Sequence, residues 1–102
     1  MLTYIEYVAP YVLALTIDKS GTYPDLNWNV PELEPLAWYL QWKLGEGSWM
    51  PRTTLGGEES NFTDPLVEIG TGIEVYWRIK YQTDEGYSDW SNEVWCLSSA
   101  EP

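Results

Sequence analysis

A chain of 102 residues is one domain of ordinary length, long enough to bury about 65% of its unfolded surface without staples. Five Lys and Arg against sixteen Asp and Glu give a formal net charge of −11. That sign repels phosphate backbones and anionic headgroups, so neither nucleic acid nor membrane is an expected partner. There is no histidine to shuttle protons near neutral pH, and Cys96 alone builds neither a disulfide framework nor a four-ligand Cys/His zinc site.

Seven Trp and eight Tyr stand against a single Phe. These residues bury large areas yet keep one polar atom in need of a partner, and they suit a pleated sheet. No stretch reaches the roughly 18 apolar residues of a membrane helix. Residues 1–17 are apolar but lack a basic start, carry Glu6 and are interrupted by Pro10, so they read as mature protein. The expected location is a virion, or the cytoplasm before assembly, and extracellular if the chain is an excised module.

In chain order, residues 1–10 form a short N-terminal arm. The first run, Tyr11 to Ile17, puts Tyr11, Leu13, Leu15 and Ile17 on one side, and Asp18-Lys19-Ser20-Gly21 turns. In the second, Asp25 to Val30, the residues Leu26, Trp28 and Val30 point inward. Pro31 and Pro35 bracket a loop, since proline cannot donate to a central ladder. The third run, Trp38 to Leu44, alternates Trp38, Leu40 and Trp42 with Tyr39, Gln41 and Lys43. A short fourth run lies around Ser48-Trp49-Met50, residues 55–59 form a loop, and a weak fifth run passes through Phe62. Residues 65–72 cross irregularly into a strong sixth run, Ile73 to Gln82. The turn Thr83-Asp84-Glu85-Gly86 leads back toward the last run, Asn92 to Leu97, and residues 98–102 are a frayed tail. Seven short runs at this spacing, with no helical periodicity, predict an all-β antiparallel sandwich over 11–97.

Four sets of residues in this order resemble a fibronectin type III domain. They are Trp28, then Trp38 to Lys43, then Leu66 with Gly70-Thr71 and Val75 to Ile79, then Gly86 with Ser88 and Ser91. The resemblance implies an immunoglobulin-like seven-stranded sandwich. The corner tyrosine of that family would fall at Val75, so its hydroxyl bond is missing. The segment Tyr87-Ser88-Asp89-Trp90-Ser91 resembles the Trp-Ser-x-Trp-Ser box of cytokine-receptor modules, with Tyr in place of the first Trp. By that resemblance Tyr87 and Trp90 interleave with Arg78 and Lys80 in a cation–π ladder.

The outer face of the third, sixth and last runs gathers Tyr39, Gln41, Lys43, Tyr76, Arg78, Lys80 and Trp95. Two readings stand side by side. It is a docking surface, since Arg, Tyr and Trp make hot spots, or the cations and rings satisfy one another within the domain. In the arm, Leu2, Tyr4, Ile5, Tyr7 and Val8 either dock on a neighbouring subunit as an added strand or cover an edge of their own sandwich. The carboxylates of Glu58, Glu59, Glu68, Asp84, Glu85 and Asp89 sit on loops without calcium-loop spacing. Asn61-Phe62-Thr63 is a glycosylation sequon with meaning only after secretion.

No catalytic, metal or cofactor residues are read, and an enzyme is not expected. The reading is a non-catalytic interaction or structural module, in its most specific form an acidic decoration subunit of a larger assembly such as a phage virion. The partners would be protein subunits of a capsid or tail lattice, or further copies joined through the arm. Two alternatives are a spacer or protein-binding module from a longer chain and a carbohydrate-binding module.

Overall fold

A computed structural model describes residues 11–101; the arm residues Leu2, Tyr4, Ile5, Tyr7 and Val8 lie outside them. The strands are β1 (Leu15–Asp18), β2 (Asp25–Trp28), β3 (Ala37–Leu44), β4 (Met50–Gly56), β5 (Asn61–Thr63), β6 (Ile69–Thr83), β7 (Gly86–Tyr87) and β8 (Val94–Ser98). A three-stranded sheet runs β1-β2-β5, and a five-stranded sheet runs β4-β3-β6-β7, with β8 also paired to β6. All pairings are antiparallel. The one strand beyond the seven expected among the described residues is β7, two residues long, which returns the β6 hairpin.

Period-two alternation puts Trp38 and Leu40 of β3, Val75, Trp77 and Ile79 of β6, and Val94 and Cys96 of β8 on the dry side. They meet Leu15, Leu26 and Trp28 of the smaller sheet. Each large side chain so enclosed contributes about 1.5–3 kcal/mol of transfer free energy. The indoles obey the rule that buried polar atoms find partners. Trp28 Nε1 donates to the Glu59 carbonyl at 3.0 Å and Trp38 Nε1 to the Gly57 carbonyl at 3.1 Å.

Trp77 Nε1 instead donates to the carboxylate of Asp64, at 3.1 Å. Asp64 is completely enclosed and follows β5, where the chain crosses between sheets. Arg52 of β4 donates to it twice, Nε at 2.9 Å and Nη2 at 2.8 Å, and the Leu66 amide donates at 3.0 Å. The Arg52 guanidinium lies 5.1 Å from the Trp42 and Phe62 rings, so its flat faces are covered as well. Four donors satisfy one carboxylate, which is what a charge needs to survive in a dry interior.

Several sequence expectations shift. The first run becomes a strand only at Leu15, because Asn29 holds the chain before it. Its side chain accepts from the Ala14 amide and donates to the Val12 carbonyl, both at 2.7 Å. With Asn29 so engaged and Pro31 next, β2 stops at Trp28, and Val30 faces outward, not inward. The fourth run is not a short stretch ending near Met50, and residues 55 and 56 are not loop; β4 continues through Gly56. Pro51 is tolerated because β4 is an edge and the register slips between Leu40 and Gln41 opposite it. The sixth run begins at Ile69, paired with Ser98, and the irregularity is confined to 70–73 before Glu74 pairs with Leu97. Residues 98–100 are not frayed. The Ser99 amide donates to Glu68 O and the Ile73 amide to Ala100 O. Gly72 lies so close that a Cβ there would sit 1.8 Å from the Ala100 carbonyl oxygen.

Removing the Asp64 carboxylate strands a buried guanidinium and an indole N–H. Asp64→Ala is expected to lower unfolding free energy by about 3–5 kcal/mol in denaturant titration; a loss under about 1 kcal/mol would show that the pair constrains little. Cys96 is enclosed, and burial pushes its thiol above the ordinary range. Its alkylation at neutral pH should therefore be slow in native protein and fast in denaturant, which timed mass spectrometry reads directly.

Candidate functional site

The outer face of the five-stranded sheet is fixed by register. Tyr39 faces Lys80, Gln41 faces Arg78, Lys43 faces Tyr76, and Tyr76 faces Trp95. Their side chains share the side opposite the core, as the alternation of β3 and β6 requires.

On this face cations and rings form a continuous chain of contacts. The Tyr39 and Tyr87 centroids are 5.6 Å apart. Lys80 Nζ lies 4.5 Å from both Tyr87 and Trp90. The Arg78 guanidinium carbon is 4.2 Å from Trp90 and 4.3 Å from Trp49. Lys43 Nζ is 5.0 Å from Trp49 and from Tyr76. Tyr76 meets Trp95 at 6.4 Å, and Lys19 Nζ sits 4.5 Å over Trp95. Each such contact is worth about 0.5–1 kcal/mol at an exposed site. Arg78 is fixed further by Gln41 Oε1, which accepts from its Nε at 3.0 Å and its Nη2 at 2.7 Å.

The loop after β7 is aimed by its serines. The Ser88 and Ser91 amides donate to the carbonyls of Tyr81 and Ile79, and their Oγ atoms accept from the amides of the same two residues at 3.0 Å. Both serines thus stand in for a strand along β6 between its β7 and β8 pairings. Of the two residues between them, Trp90 is thereby presented to Arg78 and Lys80.

The structure brings together Tyr39, Lys43, Tyr76, Arg78, Lys80, Tyr87, Trp90 and Trp95, and adds two residues the sequence did not suggest. Trp49 lies in the β3–β4 connection, and Lys19 belongs to the turn after β1, in the other sheet. No spacing signal links either to β6. The middle of the chain is half-buried, whereas Tyr87 and Trp95 are 59% and 45% exposed. At the Trp95 end, Glu74 accepts from the Tyr76 hydroxyl, and that bond, burial and the nearby Glu93 and Glu46 charges raise the phenol pKa.

Glu58, Glu59, Glu68, Asp84, Glu85 and Asp89 are all solvent-exposed. Among the described residues, Asp64 is the one carboxylate within ion-pair distance of a cation, and no three His, Cys, Asp or Glu side chains gather as a metal group. The Asn61 side chain of the sequon donates to the Asp25 carboxylate, to Leu26 O at 3.1 Å and to Asn27 Oδ1 at 3.0 Å.

An Arg78→Met, Trp90→Leu double-mutant cycle in chemical denaturation should give a coupling of about 0.5–1 kcal/mol. Additive single losses would mean that their proximity carries no energy.

No protein-family model matches the sequence, and no curated protein matches it at a significant level. Solved structures do. A crystal structure of a fibronectin type III domain of human collagen XX superposes with TM-score 0.68 at 12% identity, covering 95% of this chain and 100% of that one. The sixth such domain of human fibronectin type III domain containing protein 3 gives 0.64 at 20% identity, covering 96% and 95%. A solution structure of the domain from human collagen alpha-1(XX) gives 0.64 at 14% identity, covering 100% and 94%. With two antiparallel sheets and superposition over nearly the whole of both chains, the chain adopts the fibronectin type III fold.

Proposed function

We propose that the domain is a non-catalytic protein-interaction module whose docking face is the outer side of the five-stranded sheet. The single observation that carries this reading is the pre-ordered stack from Tyr39 to Lys19, with exposed rings at both ends. Rings and cations already held in place lose little conformational entropy when a partner covers them, and Tyr, Trp and Arg are the side chains that dominate interface energies. The fold neighbours carry the same architecture in human proteins of the collagen and fibronectin type III classes, which supports a modular role. The stronger form is an acidic decoration subunit of an assembly such as a phage virion. It rests on the charge of −11 and on the apolar arm.

A photo-cross-linking residue placed at Tyr39 or at Trp95, in the full chain expressed in its own organism, should give a discrete protein adduct. The same residue at Tyr23, exposed beside the other sheet, should not. Equal or absent adducts at all three positions would overturn the docking reading. Adducts that never sediment with a particle would overturn the virion form alone.

A further inference from the structure

Where β3 meets the edge strand β4, the outer face sinks into an open groove of ≈ 310 Å³. Tyr39, Tyr87 and Trp90 supply its aromatic wall, and Gln41, Thr54 and Lys80 supply polar groups. We propose that this groove binds a terminal sugar bearing a carboxylate, a uronic acid at the end of a glycan.

The chemistry of the lining selects this ligand. The volume is at the small end of ligand sites, so it takes about one ring. Tyr87 is 59% exposed, leaving aromatic surface for the apolar face of a pyranose. Gln41 uses only its Oε1 on Arg78, so its amide N–H2 remains to donate to a sugar oxygen. Thr54, the cross-strand neighbour of Tyr39, adds a hydroxyl to the lining. Two cations line the groove, and they are not equivalent. Arg52 is spent on Asp64, whereas Lys80 has no carboxylate within ion-pair distance among the described residues and lies against two rings. A fixed ammonium beside aromatic surface, with no Asp or Glu among the described lining residues, is a receptor for one carboxylate. The surrounding negative field disfavours a long polyanion but is screened beyond about 8 Å in physiological salt. A single terminal uronate is therefore accepted where a polyuronate chain is not. The site stands whether or not a protein docks on the same sheet.

Two probes differing only in the carboxylate test it: methyl β-glucuronide and methyl β-glucoside, titrated into the whole chain and followed by amide and indole NMR shifts. The glucuronide should saturate with a Kd on the order of millimolar, as expected for so small a ligand, and move Thr54, Lys80, Tyr87 and Trp90. The glucoside should bind about tenfold more weakly, and Lys80→Gln should remove that preference while Lys80→Arg keeps it. Glu32→Gln, exposed on the loop between β2 and β3 and outside this face, should leave binding unchanged. No saturable shift with the glucuronide, equal binding of the glucoside, or equal binding of N-acetylglutamate amide (a carboxylate without a sugar ring) would each overturn the assignment. In the last case the groove would be a peptide-carboxylate site.

Discussion

The carboxylate of Asp64 is the constraint on which the rest depends. It is taken wholly out of water, and it persists there because β4, β6 and the crossing after β5 each send it a hydrogen-bond donor. Losing any one of those segments from its place would leave a charge unpaired in a medium where that is costly. The pair adds little net stability over a well-packed apolar substitute; its effect is on arrangement. Arg52 is pulled under the sheet edge, Trp77 is locked in rotation, and the crossing after β5 is tied down.

That anchor also decides what the outer face looks like. With Arg52 turned inward, the other four cations are left to the aromatic side chains outside. Gln41 and the serines of the β7–β8 connection then fix the ring order with no surface ion pair among the described residues. Exposed ion pairs contribute little in water and lose strength in salt, whereas cation–ring contacts give up less hydration because an aromatic face binds water weakly. An acidic domain with so few cations thus keeps them on its rings and leaves its carboxylates to solvent.

Much of this was legible in the sequence because period two is an unambiguous signal where one face is dry. Trp38, Leu40, Trp77 and Ile79 fell on the correct side, and so did Tyr39, Lys43, Tyr76, Arg78 and Lys80. What escaped depends on contacts between segments far apart in sequence. Nothing in Thr63-Asp64-Pro65 distinguishes a buried carboxylate from one more loop acid, since its meaning comes from Arg52 on another strand. Trp49 and Lys19 reach the face from a loop and from the opposite sheet, where alternation says nothing. The extent of β4 was obscured by Pro51, whose usual message, no strand here, is reversed at a bulged edge. Val30 was misplaced because periodicity continues on paper past the point where Asn29 ends the ladder.

The two ends of the aromatic chain are not chemically equal, and this sets how a partner can approach. At one end Tyr76 lies among Glu74, Glu93 and Glu46, with Lys43 against its ring and Lys19 over Trp95. At the other, Lys80 stands beside a groove lined by neither Asp nor Glu. A partner surface that carries charges of its own would meet an electrostatic gradient along the sheet. Orientation would then follow from charge even before any side chain is buried, because field complementarity governs encounter and register more than final affinity. A cationic patch belongs at the Trp95 end and an anionic group at the Lys80 end, and a partner with the reverse polarity would have to turn around to bind.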